Sequence, residues 1–282
     1  MTVASVIAAG ALALLLTAAL ERSTRESFAA PAMQRENYSG RSLATGVGAL
    51  IPVGTIVVAG TAALARAAEL DSIGRLKDSL FFTAALVVGF GFLGLIDDVL
   101  GAGQSGGFRG HLREMRRGHL TTGMIKWLGG GALAVALLGL GNRGDLSRLI
   151  ADGAVIALAA NLANLLDRRP GRATKFAVVA LVPLLVSATH LDSMAGPVTV
   201  VGAAIGLAPG ELRERYMLGD SGANALGAAV GWALVIATTP VGRDVALVVL
   251  LALNVASEVV SFSTVIERVP GLRHFDQLGR RM

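Results

Sequence analysis

Residues 79–98 read SLFFTAALVVGFGFLGLIDD, and this stretch decides the fold class. It is apolar for about the 20 residues a helix needs to cross a bilayer, then ends on two adjacent carboxylates, Asp97 and Asp98. Eight further apolar runs flank it, at 3–20, 44–65, 121–140, 149–166, 174–189, 194–209, 219–238 and 244–263. The spacing predicts an all-α, polytopic transmembrane helix bundle of about nine spans, with residues 1–282 as one integral membrane domain. The whole chain is 53% hydrophobic and 16% charged, with a mean hydropathy of +0.63. No segment alternates with period two over a barrel strand's length, which argues against a β-barrel. The 36 glycines suit helices that pack backbone to backbone.

Charge sets the expected orientation. The pI near 10.4 would suit a nucleic-acid binder, but the basic residues lie in loops between runs. With the N-terminus outside, segments 21–43, 99–120, 167–173, 210–218 and 264–282 share one side and hold most of the Lys and Arg residues. The other side holds Arg66, Arg75, Lys77, Arg143, Arg148 and Arg243. The positive-inside rule makes the richer side, and the C-terminus, cytoplasmic. No positive charge precedes the first run, so it reads as an uncleaved span rather than a signal peptide. Residues 109–119 read as a short basic helix or turn at the membrane surface. With no cysteine, the chain has neither disulfides nor thiolate metal sites.

Polar residues at the run ends carry the chemistry. Asp97 and Asp98 stand at a helix C-terminus, where their charge opposes the macrodipole. Asn161, Asn164 and Asp167 recur every three residues and share one drifting stripe. Asp220 and Asn224 are four apart and share a face, beside Gly219 and Gly222. An acid in a first helical turn is favourable in itself, and a helix N-terminus also receives phosphate. Lys126 lies about a turn inside its run and can snorkel outward, but acids at the same depth favour an inward orientation. All three acidic groups fall on the cytoplasmic side of this topology. Carboxylates gathered there need a cation, and an oxygen-only donor set suits Mg2+, with Mn2+ as the substitute.

In these elements the chain resembles the polyprenyl-phosphate N-acetylhexosamine-1-phosphate transferases, over about residues 37–263. Asn37-Tyr38-Ser39-Gly40-Arg41 is similar to the family's first cytoplasmic loop, and Asp97-Asp98 to its paired aspartates. Lys126 resembles a site lysine, Asn161 to Asp167 the Asn-x-x-Asn-x-x-Asp element, and Gly219 to Gly222 the Gly-Asp-x-Gly element. The resemblance implies a phosphoglycosyl transferase of the bacterial cytoplasmic membrane that serves cell-envelope polymer synthesis. It would move a sugar-1-phosphate from a UDP-amino sugar to polyprenyl phosphate and release UMP. By resemblance Asp220 holds the metal, and Asp97, Asp98, Asp167 and Lys126 are catalytic. Asn161, Asn164, Asn224, Arg172 and His274 would contact substrate. The implied partners are those two substrates and the lipid bilayer; a homodimer is compatible, and nucleic acid is not expected. The chain departs from the pattern after Asp167, where Arg168-Arg169-Pro170-Gly171-Arg172 replaces Gly-x-Asp-Gly. The last loop carries one histidine, His274, where relatives have several.

Other classes fit less well. A prenyl transferase needs Asp-Asp-x-x-Asp, and position 101 is Gly. The acid and Ala-Arg spacing of a CDP-alcohol transferase is absent. A transporter with an acidic cation site would place its ionisable groups near the midplane, whereas the acids here stand at run ends; Asn254 and Glu258, one turn apart inside the ninth run, are the pair such a pathway would use. A degenerate, non-catalytic relative is the remaining alternative.

Overall fold

The structure is a computed structural model that describes residues 2–69, 76–101, 108–141 and 145–280. Among these are twelve α-helices and one two-stranded antiparallel ladder, Gln34–Glu36 with Ser42–Ala44. The helices are α1 (Thr2–Phe28), α2 (Leu50–Ala67), α3 (Lys77–Leu100), α4 (Phe108–Arg116), α5 (Thr122–Leu140) and α6 (Leu146–Leu166). They continue as α7 (Arg172–Ser187), α8 (Ala195–Glu211), α9 (Gly219–Ala237), α10 (Pro240–Ala256), α11 (Phe262–Arg268) and α12 (Pro270–Gln277).

Six of these segments are long and apolar enough to cross a membrane: Val3–Phe28, Val47–Ala67, Asp78–Leu100, Thr122–Leu140, Leu146–Leu166 and Leu191–Glu211. Their outer faces carry bare apolar side chains, such as Leu15, Leu64 and Phe92. A water-soluble chain rarely exposes so much contiguous hydrocarbon, and lipid accepts it. The runs expected at 174–189, 219–238 and 244–263 are helical too, but α7 and α10 are shorter, at 16 and 17 residues. α10 starts early because Pro240 sits in its first turn and the Thr239 side chain accepts the Gly242 N–H at 3.2 Å. It stops at Ala256, so Glu258 lies beyond the helix rather than one turn along it from Asn254.

α9 explains itself by position. It is buried almost all round, from Gly219 to Val235, and packs chiefly on α6 and α3. An inner helix needs small residues more than greasy ones. A Cβ on Gly227 would lie 2.4 Å from the Ala159 carbonyl oxygen, and one on Gly231 2.6 Å from the Ile156 Cα. α9 also belongs to both apolar cores. One joins it to α1, α2, α3, α7 and α8, the other to α3, α5, α6 and α10. α3 and α6 end where α9 begins, which brings Asp97, Asn164 and Asp220 to one end of the bundle. We call this the carboxylate end.

Candidate active site at the carboxylate end

The start of α9 is held by a residue from another helix. Asp98 takes the backbone N–H of Asp220 on one oxygen at 2.9 Å and that of Ser221 on the other at 3.0 Å. The Thr45 hydroxyl adds a 3.4 Å bond. Asp98 sits at the unfavourable end of its own helix and at the favourable end of α9, so the second dipole compensates the first. Gly219 makes this geometry available, with φ of +75° in the left-handed region. The ladder helps: Met217 N–H bonds the Ala44 carbonyl at 2.8 Å, and Gly48 N–H bonds the Leu218 carbonyl at 2.9 Å. The paired aspartates therefore divide their work. Asp98 is spent as a cap on α9, and Asp97 faces the cluster.

At its centre is Lys126, only 9% exposed. Its ammonium donates to Asp97 Oδ2 at 3.1 Å and to Asp220 Oδ2. The Thr122 hydroxyl, one turn before Lys126 on α5, donates to the other Asp97 oxygen. Asn164 Nδ2 donates to Asp220 Oδ2 at 3.1 Å. Four helices thus supply one ion cluster, in which the lysine points inward.

Beside it opens a cleft with about 640 Å³ of empty space, part of it open to solvent. Asp167, at the end of α6, lines it together with Asp98, Asp220, Arg169, Tyr38 and Glu211. Burial, then the nearby Glu211 and Asp220 carboxylates, push the Asp167 carboxyl well above its ordinary value. The 37–41 loop forms the rim. Glu214 accepts from Asn37 at 3.0 Å, the Tyr38 hydroxyl at 2.6 Å and Arg41 at 3.1 Å. The Arg169 guanidinium lies 4.1 Å over the Tyr38 ring.

Other expected site residues fall elsewhere. Asn161 and Asn224 line a separate small pocket with Lys126, Trp127 and Phe90. Asn161 donates to Asn254 Oδ1 at 2.6 Å, which braces α6 against α10. Asn224 is 2% exposed, and its amide nitrogen has no partner among the described residues. His274 is exposed on α12 and does not line the cleft. Arg172 is buried in a fork on Asp276, with both N–O distances 2.9 Å. Its guanidinium is thus engaged within the fold and does not line the cleft.

That fork is part of a strap. The Arg280 guanidinium joins Asp276 at 2.6 Å and the Pro170 carbonyl at 3.1 Å, and Arg169 pairs with Glu267 at 2.8 Å. Lys175 donates to the Asp276 carbonyl at 2.6 Å. α11 and α12 are thereby tied to the loop that follows Asp167. Glu211 fixes the same loop by accepting the Gly171 N–H at 2.7 Å. The sequence reading missed Glu211, Thr122 and Asp276. Glu211 carries the signal used for the others, an acid ending an apolar run, and Thr122 stands four residues before Lys126.

The strap gives a pH expectation. Burial pushes the Asp276 carboxyl up, but the hydrogen bonds and charge of Arg172, with Arg280, outweigh this and hold it below its ordinary value. A carboxyl depressed on folding adds stability that is complete above its unfolded pKa of about 4 and is lost as pH falls through the folded value. Hydrogen-exchange protection of residues 262–277, corrected for intrinsic rates, should hold from neutral pH to about 4 and fall below it. Protection unchanged to about pH 2 would show that the Asp276 pair does not hold the strap.

The donor set suits a hard divalent cation. Asp97 and Asp220 already grip one cation centre, the lysine ammonium, so they are close enough to share another. Among the described residues no three His, Cys, Asp or Glu side chains group as a complete cage. Mg2+ does not require one, since it keeps waters and substrate phosphates. No family model matches this chain. A comparison with curated proteins likewise finds no match.

Proposed function

We propose that the chain is a Mg2+-dependent phosphoglycosyl transferase that moves a sugar-1-phosphate from a UDP-amino sugar to polyprenyl phosphate. An oxygen of the lipid phosphate attacks the sugar-proximal phosphorus, the bond to UMP breaks, and lipid-diphosphate-sugar and UMP result. The observation that carries this is Lys126 gripping Asp97 and Asp220 beside a polar cleft at one end of an apolar bundle. Lys126 offsets phosphate charge and attracts the lipid phosphate. Asp220 and Asp97, the latter held by the Thr122 hydroxyl, keep the ammonium in place, so little reorganisation is needed during transfer. The cleft, with Asp167, Arg169 and Tyr38, takes the nucleotide sugar. Asp220 and Asp97 would hold Mg2+, which neutralises diphosphate charge when bound.

In this proposal α1 to α3 and α5 to α10 form nine spans. The N-terminus lies outside and the carboxylate end faces the cytoplasm of a bacterial cell. The arginine-rich segments at that end support the orientation. Resemblance alone supports the amino sugar and the envelope polymer.

The test is UMP release by purified protein supplied with undecaprenyl phosphate, Mg2+ and a panel of UDP-sugars. Turnover with at least one amino sugar, lost on chelation, is expected. No UMP from any sugar, alongside cation flux in liposomes, would transfer the acidic cluster to a transport role.

A further inference from the structure

The strap of α11 and α12 offers a surface that the proposed transfer does not use. Its ties span residues 267–280 on the strap but only 169–172 on the loop: Glu267 to Arg169, Asp276 to Arg172 and Arg280 to the Pro170 carbonyl. A segment tied so closely crosses the end of the bundle instead of descending its side. It therefore lies at the level of the carboxylate end, where helices long enough to span meet the bilayer surface.

Two features meet on its outer side. Val265, Leu272 and Phe275 are exposed, and in the chain they follow the bare Val255 of α10 and Val259 just beyond it. Arg268 and Arg273 are exposed as well, and neither makes a side-chain hydrogen bond or ion pair among the described residues. Positive charge is in excess here. Residues 169–175 and 262–280 together hold six Arg and Lys against two carboxylates, Glu267 and Asp276. Both carboxylates are already paired with arginine. Asp276, turned inward to Arg172, fixes how α12 is rolled. At about 100° per residue, Leu272 and Phe275 fall on one flank of Asp276, and Arg273 and Gln277 on the other. A helix with the bundle on its inner side, apolar side chains on one flank and polar ones on the other suits a bilayer interface.

We propose that α11 and α12 lie in the headgroup layer at the carboxylate end and bind anionic phospholipid there. Leu272 and Phe275 enter the acyl boundary, and Arg268 and Arg273 meet the headgroup phosphates. A second copy of the chain would set one positive surplus against another. A zwitterionic lipid surface would leave that surplus unanswered.

The chain has no cysteine, so Leu272→Cys and Gln277→Cys each create a single labelling position for an environment-sensitive fluorophore. The full chain is placed in single-copy nanodiscs of phosphatidylcholine, with and without phosphatidylglycerol. With phosphatidylglycerol present, the label at 272 should shift to the blue and be quenched by brominated acyl chains. The label at 277, on the polar flank, should stay open to aqueous iodide. An arginine at an anionic leaflet is worth about a fivefold shift in such an equilibrium. Arg268→Gln combined with Arg273→Gln should therefore lower the ratio of docked to free strap by about 25-fold, and so should high salt in large part. Neither arginine has a partner to lose among the described residues, and the lipid comparison itself needs no change at either. Iodide reaching the two labels equally in phosphatidylglycerol discs would overturn the proposal. So would equal lipid quenching in the two membranes, or quenching that survives the double substitution. Shielding seen only in discs that hold two copies would give the face to a second chain and likewise end it. None of these readouts involves UMP release, so this proposal and the transferase proposal fail separately.

Discussion

Lys126→Met is expected to lower UMP release by about a thousandfold, the upper range for losing one preorganised charge donor at a transition state. The ammonium touches Asp97 and Asp220 together, in a pocket where it is 9% exposed. Without it two carboxylates on α3 and α9 face each other with no cation between them. Breaking a buried pair from one side costs about 3–5 kcal/mol, so the variant should also melt earlier in metal-free detergent. Two measurements separate chemistry from folding. Mg2+ should raise the melting temperature of Lys126→Met more than that of the wild type, because the vacated carboxylates then have only the metal to bind. Adding Asp97→Asn removes the repulsion and should restore much of the stability while leaving the rate low. A single variant within about tenfold of wild-type turnover would remove Lys126 from the chemistry. Equal Mg2+ shifts in the two proteins would separate Asp97 and Asp220 from the metal.

The inward lysine was legible in the sequence, since acids stood at the same expected depth. So were the helices, because a run of apolar residues is a local signal and each run became one. What could not be read were partners distant along the chain. For Asp98 only its own helix end was visible, so its hold on a second helix could not be foreseen. The α9 N–H groups that it caps lie 122 and 123 residues away. The partner of Arg172 was hidden for the same reason, since Asp276 is 104 residues further on. The Asn161 to Asp167 stripe was real but served three neighbours. Asn161 braces α10, Asn164 reaches Asp220, and Asp167 lines the cleft. Periodicity gives the face of a helix but not what packs on it. Residues 142–144, with Arg143 among the outer-loop charges, lie outside the described residues, as do Arg75 and residues 102–107.

Gly94→Ala is the second large effect expected, and it acts through distance alone. A Cβ at Gly94 would lie 2.3 Å from the Asp220 carbonyl oxygen and 2.6 Å from the Ser221 nitrogen. Both are backbone atoms in the first turn of α9, so no side-chain rotation can relieve the clash. Ordinary carbon contacts begin near 3.4 Å, so α3 and α9 must part by roughly 1 Å. That shift moves Asp97 away from Asp220 and draws the Asp98 carboxylate off the N–H groups it caps. A displacement of about 1 Å at a reacting centre costs about a hundredfold in rate. Overpacking of this kind costs about 1–3 kcal/mol in stability, which leaves a folded protein to assay. Gly131→Ala on α5 is the control, because nothing lies within 4 Å of a Cβ built there. Alanine also favours helix by about 1 kcal/mol over glycine, so this control should match the wild type in rate and melt no earlier. If Gly94→Ala turned over within about twofold of Gly131→Ala, the rate would not depend on the close approach of α3 and α9, and the cluster would tolerate a separation that a preorganised charge site cannot.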